Sequence, residues 1–296
     1  MEHITVCICT YKRPQLLKRL LEELGRQETR GLFHYSIVVV DNDNNASAKQ
    51  VAENFAANST VPTAYYVEPQ QNIALARNRA VANAQGDYVA FIDDDEFPDK
   101  DWLLVMMKTI KSHEAAGVLA PVLPHFETEP PKWLRKAGFY DRPRHQTGFI
   151  LEWQGARTGN VLIRRRILDE IAGPFQPEFG AGGEDQDFFR RLMDKGHVFI
   201  WCDESPVCET VPPHRWDRRF LLERALLRGK LTFRHPKNRL RKIVKSLIAV
   251  PLYAIALPFL LILGHHLFMK YLVRLFDHLG RLLALMNLNP IKERCH

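Results

Sequence analysis

Residues 88–96 read Tyr-Val-Ala-Phe-Ile-Asp-Asp-Asp-Glu, an uncharged run followed at once by carboxylates. Such a run predicts a buried β-strand. Asp93, Asp94, Asp95 and Glu96 then fall at its carboxyl end, where open α/β sheets bind their ligands. Carboxylates this close repel one another unless a cation is present, and hard oxygen ligands suit Mg²⁺ or Mn²⁺ bridging to phosphates. The alternative for an acidic triplet taken alone is a polar loop that caps a helix.

Around this stretch, short β-branched runs alternate with amphipathic stretches. This pattern is typical of parallel strands joined by crossover helices, so we expect an α/β fold with a mostly parallel sheet. The predicted strands span 4–9, 35–41, 63–67, 87–92, 117–122, 158–163 and 197–202. The predicted helices span 14–24, 46–55, 73–84, 101–115, a segment that begins near 183, and 215–230. The stretch 124–156 is predicted to be a loop region that faces the substrate.

Composition excludes several classes of protein. The chain has 296 residues, of which 46% are hydrophobic and 25% charged, so collagen, coiled coil and wholesale disorder are excluded. It has five cysteines and no CxxC pair, which indicates neither a disulfide framework nor a zinc site and favours a reducing cytoplasm. The chain enters a strand pattern at once, without a basic n-region, so no secretory signal is expected.

Charge is distributed unevenly along the chain. Residues 214–296 carry 17 Lys and Arg against 4 Asp and Glu, a net charge of +13, whereas residues 1–213 have a net charge of −6. A nucleic-acid reader would group basic and aromatic residues on one folded face, so no nucleic-acid partner is expected. The pattern favours an anionic membrane surface as the partner of the basic segment.

Residues 247–264 are 18 consecutive positions without a charge, the lower limit for crossing about 30 Å of hydrocarbon. Pro251 and Pro258 interrupt this run. Basic residues on both flanks predict that both ends stay on the cytoplasmic face. We therefore favour a kinked re-entrant hairpin over a membrane span or a buried core helix. The basic residues before the run are Arg234, Lys237, Arg239, Arg241, Lys242 and Lys245, and those after it are Lys270, Arg274 and Arg281.

Apolar residues recur at alternating steps of four and three in the segment that follows. This spacing predicts an amphipathic helix that lies in the membrane interface, or a contact between copies in a homo-oligomer. The apolar positions are Phe268, Leu272, Leu275, Leu279, Leu282 and Met286.

Four further blocks surround the acidic strand in a specific order: residues 10–14 (Thr-Tyr-Lys-Arg-Pro), 41–43 (Asp-Asn-Asp), 72–78 (Asn-Ile-Ala-Leu-Ala-Arg-Asn) and 182–185 (Gly-Gly-Glu-Asp). With these blocks, residues 1–210 resemble the family 2 glycosyltransferases of the GT-A fold, inverting enzymes that use a nucleotide-sugar. Residues 72–78, 86–87, 91–96 and 183–189 are most similar to the succinoglycan-type exopolysaccharide glucosyltransferases, which extend a polyprenyl-diphosphate-linked oligosaccharide by one sugar.

The resemblance implies roles for individual residues. Asp41 would accept a hydrogen bond from the base, and Arg77 would face the base or a phosphate. Asp93 would touch the ribose, and Asp95, with Asp93 at the first position of the motif, would hold Mn²⁺ or Mg²⁺ on the diphosphate. A helix cap is the structural alternative for Thr10, and a surface ion pair is the alternative for Arg77. The remaining residues of the expected nucleotide-sugar pocket are Thr10, Tyr11, Arg13, Asn72 and Asp94.

The resemblance also places the acid–base chemistry at the fourth block. Inversion needs one carboxylate that deprotonates the acceptor hydroxyl, and Asp185 is the candidate. Glu184 would orient the acceptor. Asp187 is the competing base, and a plain acid at a helix N-terminus is the structural alternative.

Two departures from the family pattern affect these expectations. Many relatives have a metal-binding His after the last core strand, where this chain has Cys208; His214 is the other candidate, or the metal shell lacks this ligand. Processive synthases carry Gln-x-x-Arg-Trp, whereas this chain has Pro212 in the Gln position before Arg215-Trp216. Transfer of a single sugar is therefore favoured over polymerisation.

Together these inferences predict a metal-dependent transfer of one hexose, with glucose as the first choice, from a UDP-sugar to a lipid-linked saccharide. The expected place is the cytoplasmic face of the bacterial inner membrane. The expected domains are a GT-A domain (1–213), a basic helical linker (214–245) and membrane-associated helices (246–296). The alternatives are a degenerate GT-A scaffold and a Mg²⁺-dependent phosphohydrolase with Asp41 or Asp43 as nucleophile.

Overall fold

The computed structural model describes residues 1–180, 182–231, 239–286 and 288. Arg234 and Lys237 of the predicted basic flank lie outside the described residues. Within the described ranges the strands are β1 (Glu2–Thr10), β2 (Phe33–Asp41), β3 (Thr63–Val67), β4 (Tyr88–Ile92), β5 (Glu96–Pro98), β6 (Gly117–Leu119), β7 (Val122–His125), β8 (Asn160–Arg164), β9 (Phe199–Trp201) and β10 (Val207–Thr210). The helices are α1 (Pro14–Leu24), α2 (Lys49–Asn58), α3 (Ile73–Asn83), α4 (Trp102–Ser112), α5 (Lys132–Ala137), α6 (Glu184–Asp194), α7 (Arg218–Leu231), α8 (Arg239–Leu263) and α9 (His265–Leu285).

Seven strands form one sheet in the order β3-β2-β1-β4-β8-β6-β9. All pairs are parallel except those of β8, which is antiparallel to both of its neighbours. The carboxyl ends of β1, β2 and β4 therefore share one edge, where Thr10 pairs with Asp41 and Asp93 follows β4. The prediction of a mostly parallel α/β sheet is confirmed.

The side chains of each strand alternate between two core clusters, one on each face of this sheet. On β1, Ile4, Val6 and Ile8 belong to one cluster and Cys7 to the other. The leucine stripe of α1 and the apolar residues of α4 complete the first cluster, and α3 and α6 complete the second. Burying one such leucine side chain contributes about 1.5–3 kcal/mol. The period-2 pattern of the strands and the period-3.6 pattern of the helices therefore determine which faces are buried between the layers.

Some local predictions are wrong in detail. The predicted strand 117–122 is two strands, β6 and β7, interrupted at Ala120 and Pro121, because proline lacks the N–H group that a central strand donates. β7 joins a second sheet in the order β5-β10-β7. The short strands β5 and β10, and the helix α5 inside the predicted loop, were not predicted because three to six residues carry too little periodicity.

The chain divides into two compact units. Unit 1 contains Met1–Pro124 and Arg142–Glu209, and unit 2 contains His125–Asp141 and Thr210–Arg294. The start of the last segment lies close to the predicted boundary at 213, but His125–Asp141 groups with the C-terminal helices. The predicted linker includes α7, whose residues Leu221 and Ala225 are buried in the core of unit 2.

Within unit 2, α7 and α9 cross at a pair of glycines. A Cβ atom at Gly280 would overlap the carbonyl oxygen of Leu226, and one at Gly229 would overlap that of Asp277. Arg228 holds the crossing with two bonds to Asp277, at 2.8 and 2.6 Å. The predicted amphipathic helix is therefore packed against the interior of unit 2 as well as amphipathic.

The apolar run does not turn back within itself as predicted. α8 continues through Pro251 and Pro258, and the chain reverses only at Gly264, which has a φ of +147°. A proline kinks a helix but does not reverse it, whereas glycine tolerates the positive φ of a sharp turn. By length and composition the helix Leu240–Leu263 is long and apolar enough to cross a membrane, with a mean hydropathy of 2.4 in an 18-residue window of which 11% is buried.

Candidate active site

The acidic turn after β4 is held from β1 and from the start of α1. Thr10 Oγ1 donates to Asp94 Oδ2 at 2.8 Å. Arg13 Nη1 lies 3.0 Å from Asp94 Oδ1 and 3.2 Å from Asp95 Oδ2. Thr10 and Arg13, both predicted to line the nucleotide pocket, thus fix the carboxylates of Asp94 and Asp95.

Tyr11, the third predicted pocket residue of this loop, is half-buried. Lys12 Nζ lies 5.0 Å from the centroid of its ring. The backbone of Lys12 has a φ of +55°, a left-handed conformation that costs about 1–2 kcal/mol in a non-glycine residue. The loop therefore turns sharply between Thr10 and Arg13, with Tyr11 at the carboxyl edge of the sheet.

The carboxyl groups after β4 are crowded in a protein interior. Burial raises the pKa of Asp94 to about 7, although the Arg13 guanidinium opposes the shift. Burial also raises the pKa of Glu96 well above its usual range. Burial raises the pKa of Asp93 too, although about half of that side chain (49%) stays exposed to solvent. Burial therefore disfavours the charged forms of Asp93, Asp94 and Glu96, and a nearby cation would favour them.

A buried ion pair joins α3 to α6. Arg77 Nη1 donates to Glu184 Oε1, and Arg77 Nη2 lies 3.5 Å from Asp93 Oδ1. The side chains of Arg77 and Glu184 are each 9% exposed. Burial raises the pKa of Glu184, and the Arg77 guanidinium opposes that shift. Arg77 therefore bridges the acidic turn and the first turn of α6. This contact was not predicted from the sequence.

The two candidate bases on α6 have different environments. Asp185 keeps 18% of its side chain exposed, accepts from Gln186 N at 2.7 Å, and lies 3.8 Å from Arg157 Nε. Asp187 is buried and accepts from Arg190 at 2.8 Å and from Arg191 at 2.7 Å. Because both oxygens of Asp187 are bound within α6, the geometry favours Asp185 as the carboxylate that reaches a substrate.

Gly183 sets the direction of this helix. It precedes α6 with a φ of +95°, a conformation that favours glycine, and Gly182 before it has a φ of +129°. The turn delivers Glu184 and Asp185 in the first helical turn, where the helix dipole stabilises negative charge. The glycine pair singled out in the sequence thus has a structural reason.

Asp41 binds its own loop in this structure. It is fully buried; its Oδ1 accepts from Asp43 N at 3.0 Å, and its Oδ2 accepts from Ala48 N at 2.8 Å and from the Tyr65 hydroxyl at 3.0 Å. The buried carboxylate satisfies backbone N–H groups after β2, and its contact with a base stays a prediction. No surface of Asp41 is open to a nucleotide in this conformation.

Asn72 is a helix cap. Its Oδ1 accepts from Ala74 N at 2.9 Å and from Leu75 N at 3.3 Å, and its Nδ2 donates to Pro177 O at 2.9 Å. Both ends of the side-chain amide are therefore bound to backbone, and its contact with the nucleotide-sugar stays a prediction. Asparagine is favoured at this position because its oxygen satisfies the free N–H groups of the first turn.

Cys208 and His214 are the predicted candidates for a further metal ligand. Cys208 is on β10 opposite Phe97, and the charges that act on it are those of Asp99 and Arg19. The ring of His214, in unit 2, packs edge-on against Phe220. In the part of the chain that the structure describes, no three His, Cys, Asp or Glu side chains are grouped as a metal site.

Two further residues near the acidic turn had no predicted role at the site. Glu96 is buried and accepts from Asp93 N at 3.1 Å, so it shapes the turn from inside. Arg142, from the predicted loop, binds Glu209, and its charge opposes the rise in the pKa values of Asp93 and Glu96 that burial causes. Glu96 was visible as the fourth acid of the run, whereas no local signal marks Arg142.

Comparison with known proteins shows the family of this chain. Residues 5–172 match the family model described as "Glycosyl transferase family 2". The chain belongs to this family. This family 2 glycosyltransferase is 33% identical over 232 residues to the succinoglycan biosynthesis protein ExoM of Rhizobium meliloti (strain 1021), covering 77% of the chain and 73% of that protein. It is 22% identical over 234 residues to a glucosyl-dolichyl phosphate glucuronosyltransferase of Haloferax volcanii, covering 77% and 69%.

Solved structures confirm the GT-A fold of this family 2 glycosyltransferase. S. aureus TarS 1–349 in complex with UDP superimposes with a TM-score of 0.55 at 19% identity, over 75% of this chain and 64% of that chain. GalNAc-T7 with UDP, GalNAc and Mn²⁺ gives a TM-score of 0.56 at 13% identity, over 75% and 47%. The chain thus spans less than two thirds of each of these solved chains.

Proposed function

We propose that this protein transfers a single hexose, with glucose as the first choice, from a UDP-sugar to a polyprenyl-diphosphate-linked oligosaccharide, with inversion at the anomeric carbon. The observation that carries the proposal is the meeting of the β4 carboxylates with Arg77, Glu184 and Asp185 at one edge of a GT-A sheet. A nucleotide-sugar donor is supported by solved neighbours that bind UDP and UDP-GlcNAc. A saccharide acceptor in cell-surface polysaccharide synthesis is supported by the similarity to a succinoglycan biosynthesis protein.

Asp185 is proposed as the general base. Its carboxylate keeps solvent access, so it can take the proton of an acceptor hydroxyl as that oxygen attacks the anomeric carbon. Glu184 is bound to Arg77 and buried, which suits a positioning residue better than a proton acceptor. The Arg77 guanidinium opposes the rise in the pKa of Glu184 and ties the first turn of α6 to Asp93.

Asp95 and Asp93 are proposed to hold Mn²⁺ or Mg²⁺. The donor chemistry fits, because both are hard oxygen ligands in an acidic cluster where burial raises the pKa values of Asp93, Asp94 and Glu96. Mg²⁺ is commonly bound by one or two carboxylates together with substrate phosphates, so a set of two protein ligands is sufficient. When bound, the ion would stabilise the charge of the departing diphosphate.

Membrane association from the cytoplasmic side is proposed for α8. Its outward side chains include Leu247, Ile248 and Leu252, each at least 58% exposed. α9 packs back along α8 after Gly264 and carries Lys270 and Arg274 about 9 and 15 Å from the turn, at about 1.5 Å per residue. A perpendicular α8 would carry these two charges to the middle of the bilayer, at about 2.5–3.5 kcal/mol each. An α8 that lies in the interface, with both flanks on one face, avoids this cost.

The alternatives are weaker. A phosphohydrolase with Asp41 as nucleophile conflicts with the complete burial of that carboxylate and its bonds to its own loop. A degenerate scaffold would not need an acidic cluster that costs stability through crowding, and here the cluster is intact.

A donor panel tests the proposal. The full chain is incubated with UDP-hexoses and other nucleotide-sugars, with Mn²⁺ or Mg²⁺ and a lipid-linked acceptor, and the product is identified by mass and anomeric configuration. We expect selective release of UDP from one UDP-hexose and an inverted product that is one hexose heavier. Unselective hydrolysis of phosphate esters would indicate a phosphohydrolase, and nucleotide binding without turnover would indicate a scaffold.

A further inference from the structure

The two oxygens of the Asp185 carboxylate differ in their contacts. Oδ1 accepts a hydrogen bond from Gln186 N at 2.7 Å, within the first turn of α6. Oδ2 receives no hydrogen bond from the residues that the structure describes. Arg157 Nε lies 3.8 Å from Oδ2, a distance at which the opposite charges attract but no hydrogen bond forms. Oδ2 is therefore the oxygen that is left to take a proton from an acceptor hydroxyl.

Arg157 is held in place by its own loop. Its Nη1 donates to Ala156 O at 2.6 Å and to Gln154 O at 3.1 Å. The same loop packs against α6 through a single turn of 3₁₀ helix, Trp153–Gly155. The side chain of Trp153 packs against the second core cluster. The guanidinium is therefore fixed relative to α6 before any substrate binds.

Repulsion between neighbouring carboxylates acts on Asp185. Burial raises the pKa values of Asp93 and Glu184, and the negative charge of Asp185 raises them further. The Arg77 guanidinium is bound to Glu184 and lies 3.5 Å from Asp93, so it faces those two carboxylates. Arg157 supplies the opposite charge beside Asp185. Without Arg157, repulsion would favour side-chain rotamers that turn Asp185 away from the acidic turn.

We propose that Arg157 is a positioning residue for the general base, and that it holds Oδ2 of Asp185 towards the acceptor hydroxyl. The inference rests on the proposed function, in which Asp185 takes the proton of that hydroxyl. The two side chains are 47% and 18% exposed, and ion pairs open to solvent contribute little to stability, so the expected effect is on the rate. Misplacement of a reacting group by about 1 Å can cost about 10²-fold in rate.

Transfer assays on the full chain test the role of Arg157. The variants are Arg157→Gln and Arg157→Lys. The matched control is Arg144→Gln, from the same loop, where a 50% exposed arginine binds Asp203 at 2.8 and 3.0 Å. The donor is the UDP-hexose that the wild-type protein uses in the donor panel, and the acceptor is the lipid-linked saccharide. The measured quantities are kcat, the KM for the acceptor, the affinity for the UDP-hexose, and the melting temperature.

Arg157→Gln should lower kcat by roughly 10- to 100-fold and leave the acceptor KM and the donor affinity within about threefold, because the substrates keep their contacts while the base loses its orientation. Arg157→Lys keeps a positive charge on a flexible stem, so its kcat should fall by less than about tenfold. Arg144→Gln should keep the wild-type kcat. The melting temperature of Arg157→Gln should change little, because the ion pair is open to solvent.

The double variant Arg157→Gln with Asp185→Asn tests whether Arg157 acts through Asp185. If it does, the double variant should be no slower than Asp185→Asn alone, because the base that Arg157 positions is already lost. Losses that multiply in the double variant would show that Arg157 contacts a substrate itself, and they would refute the positioning role.

Other results would also overturn the inference. A higher acceptor KM or a weaker donor affinity in Arg157→Gln, with kcat unchanged, would assign Arg157 to substrate binding. Equal losses in Arg157→Gln and Arg144→Gln would show a general effect on the loop. Full activity of Arg157→Gln beside an inactive Asp185→Asn would refute the inference and leave the proposed function intact. Full activity of Asp185→Asn would instead refute the proposed base, and absence of transfer by the wild-type protein would refute the proposed function itself.

Discussion

Replacing Arg77 with methionine tests the buried ion pair that joins the acidic turn to α6. The side chains of Arg77 and Glu184 are each 9% exposed, and Asp93 Oδ1 lies 3.5 Å from Arg77 Nη2. Methionine retains part of the buried volume but leaves Glu184 without its counter-charge. Removal of one partner of a buried pair costs about 3–5 kcal/mol. We therefore expect the free energy of unfolding at pH 7 to fall by about this amount.

The loss should depend on pH in a defined direction. Burial raises the folded-state pKa of Glu184 despite Arg77, and removal of Arg77 should raise it further. A carboxyl group with a raised folded-state pKa contributes stability that is fully present below its unfolded pKa of about 4.3 and is lost as the pH rises through the folded value. The deficit of Arg77→Met relative to the wild type should therefore be small near pH 4.3 and grow towards pH 8.

Urea titrations followed by tryptophan fluorescence at several pH values measure this deficit. The control is Arg79→Met, on the same helix, where a 41% exposed arginine lies 3.0 Å from Glu68; an exposed pair should be worth about 0–1 kcal/mol. The double variant Arg77→Met with Glu184→Gln should recover part of the loss, because no unpaired charge is then buried. A loss in Arg77→Met no larger than in Arg79→Met, with no pH dependence, would refute the reasoning.

Three other changes have defined outcomes. Asp95→Ala should abolish sugar transfer and remove any metal-dependent gain in UDP-sugar affinity measured by calorimetry, whereas unchanged turnover of the wild type in chelator would refute the metal assignment. Gly280→Ala should lower the free energy of unfolding by about 1–3 kcal/mol, because its Cβ would overlap Leu226 O. The control Gly155→Ala, whose Cβ would meet only one side-chain carbon at 4.0 Å, should be nearly neutral. Equal melting temperatures for the two variants would contradict the helix crossing. Truncation after Arg234 should abolish pelleting with membranes while UDP-sugar binding persists, and the full chain should stay bound in high salt because hydrophobic burial is not screened; release by salt alone would contradict an apolar anchor.

Most of unit 1 was predictable because its signals are local. The runs that became β1 to β4 and the leucine stripe of α1 each encode their own period, and the acidic turn follows directly from the end of β4. The antiparallel insertion of β8 was not predictable, since a five-residue strand does not encode its direction. The break at Pro121 has a local cause, the missing N–H group of proline, although a continuous strand was predicted there.

The sequence predicts which residues lie near the site better than it predicts which of them contact one another. Arg77 and Glu184 were both expected at the site, but they are 107 positions apart and nothing local shows that they pair. Asp41 and Asn72 were expected to contact the nucleotide; in this structure their side chains bind backbone groups nearby, and the nucleotide contacts stay predictions. Small polar residues at strand ends and helix starts serve both purposes, so sequence alone does not separate them.

Packing in unit 2 was the least predictable part. The crossing at Gly229 and Gly280 depends on two backbones that approach each other across about fifty residues of chain. Sequence patterns identify the amphipathic face of α9 but not the helix that covers it. The reversal at Gly264 has a local signal, because glycine ends the uncharged run. The prediction placed the turn at the two prolines.

The central claim, that Asp185 acts as the base in transfer from a UDP-sugar, is tested most directly by comparing Asp185→Asn with Asp187→Asn. For each variant, the rate of hexose transfer to the lipid-linked acceptor is measured beside the affinity for the UDP-sugar. Asparagine keeps the shape but loses basicity, so the rate of Asp185→Asn should fall by roughly 10²- to 10⁴-fold with donor affinity nearly unchanged. Asp187→Asn should lose stability, because two arginines lose a buried partner, and should still transfer sugar while folded. An active Asp185→Asn beside a folded but inactive Asp187→Asn would contradict the account.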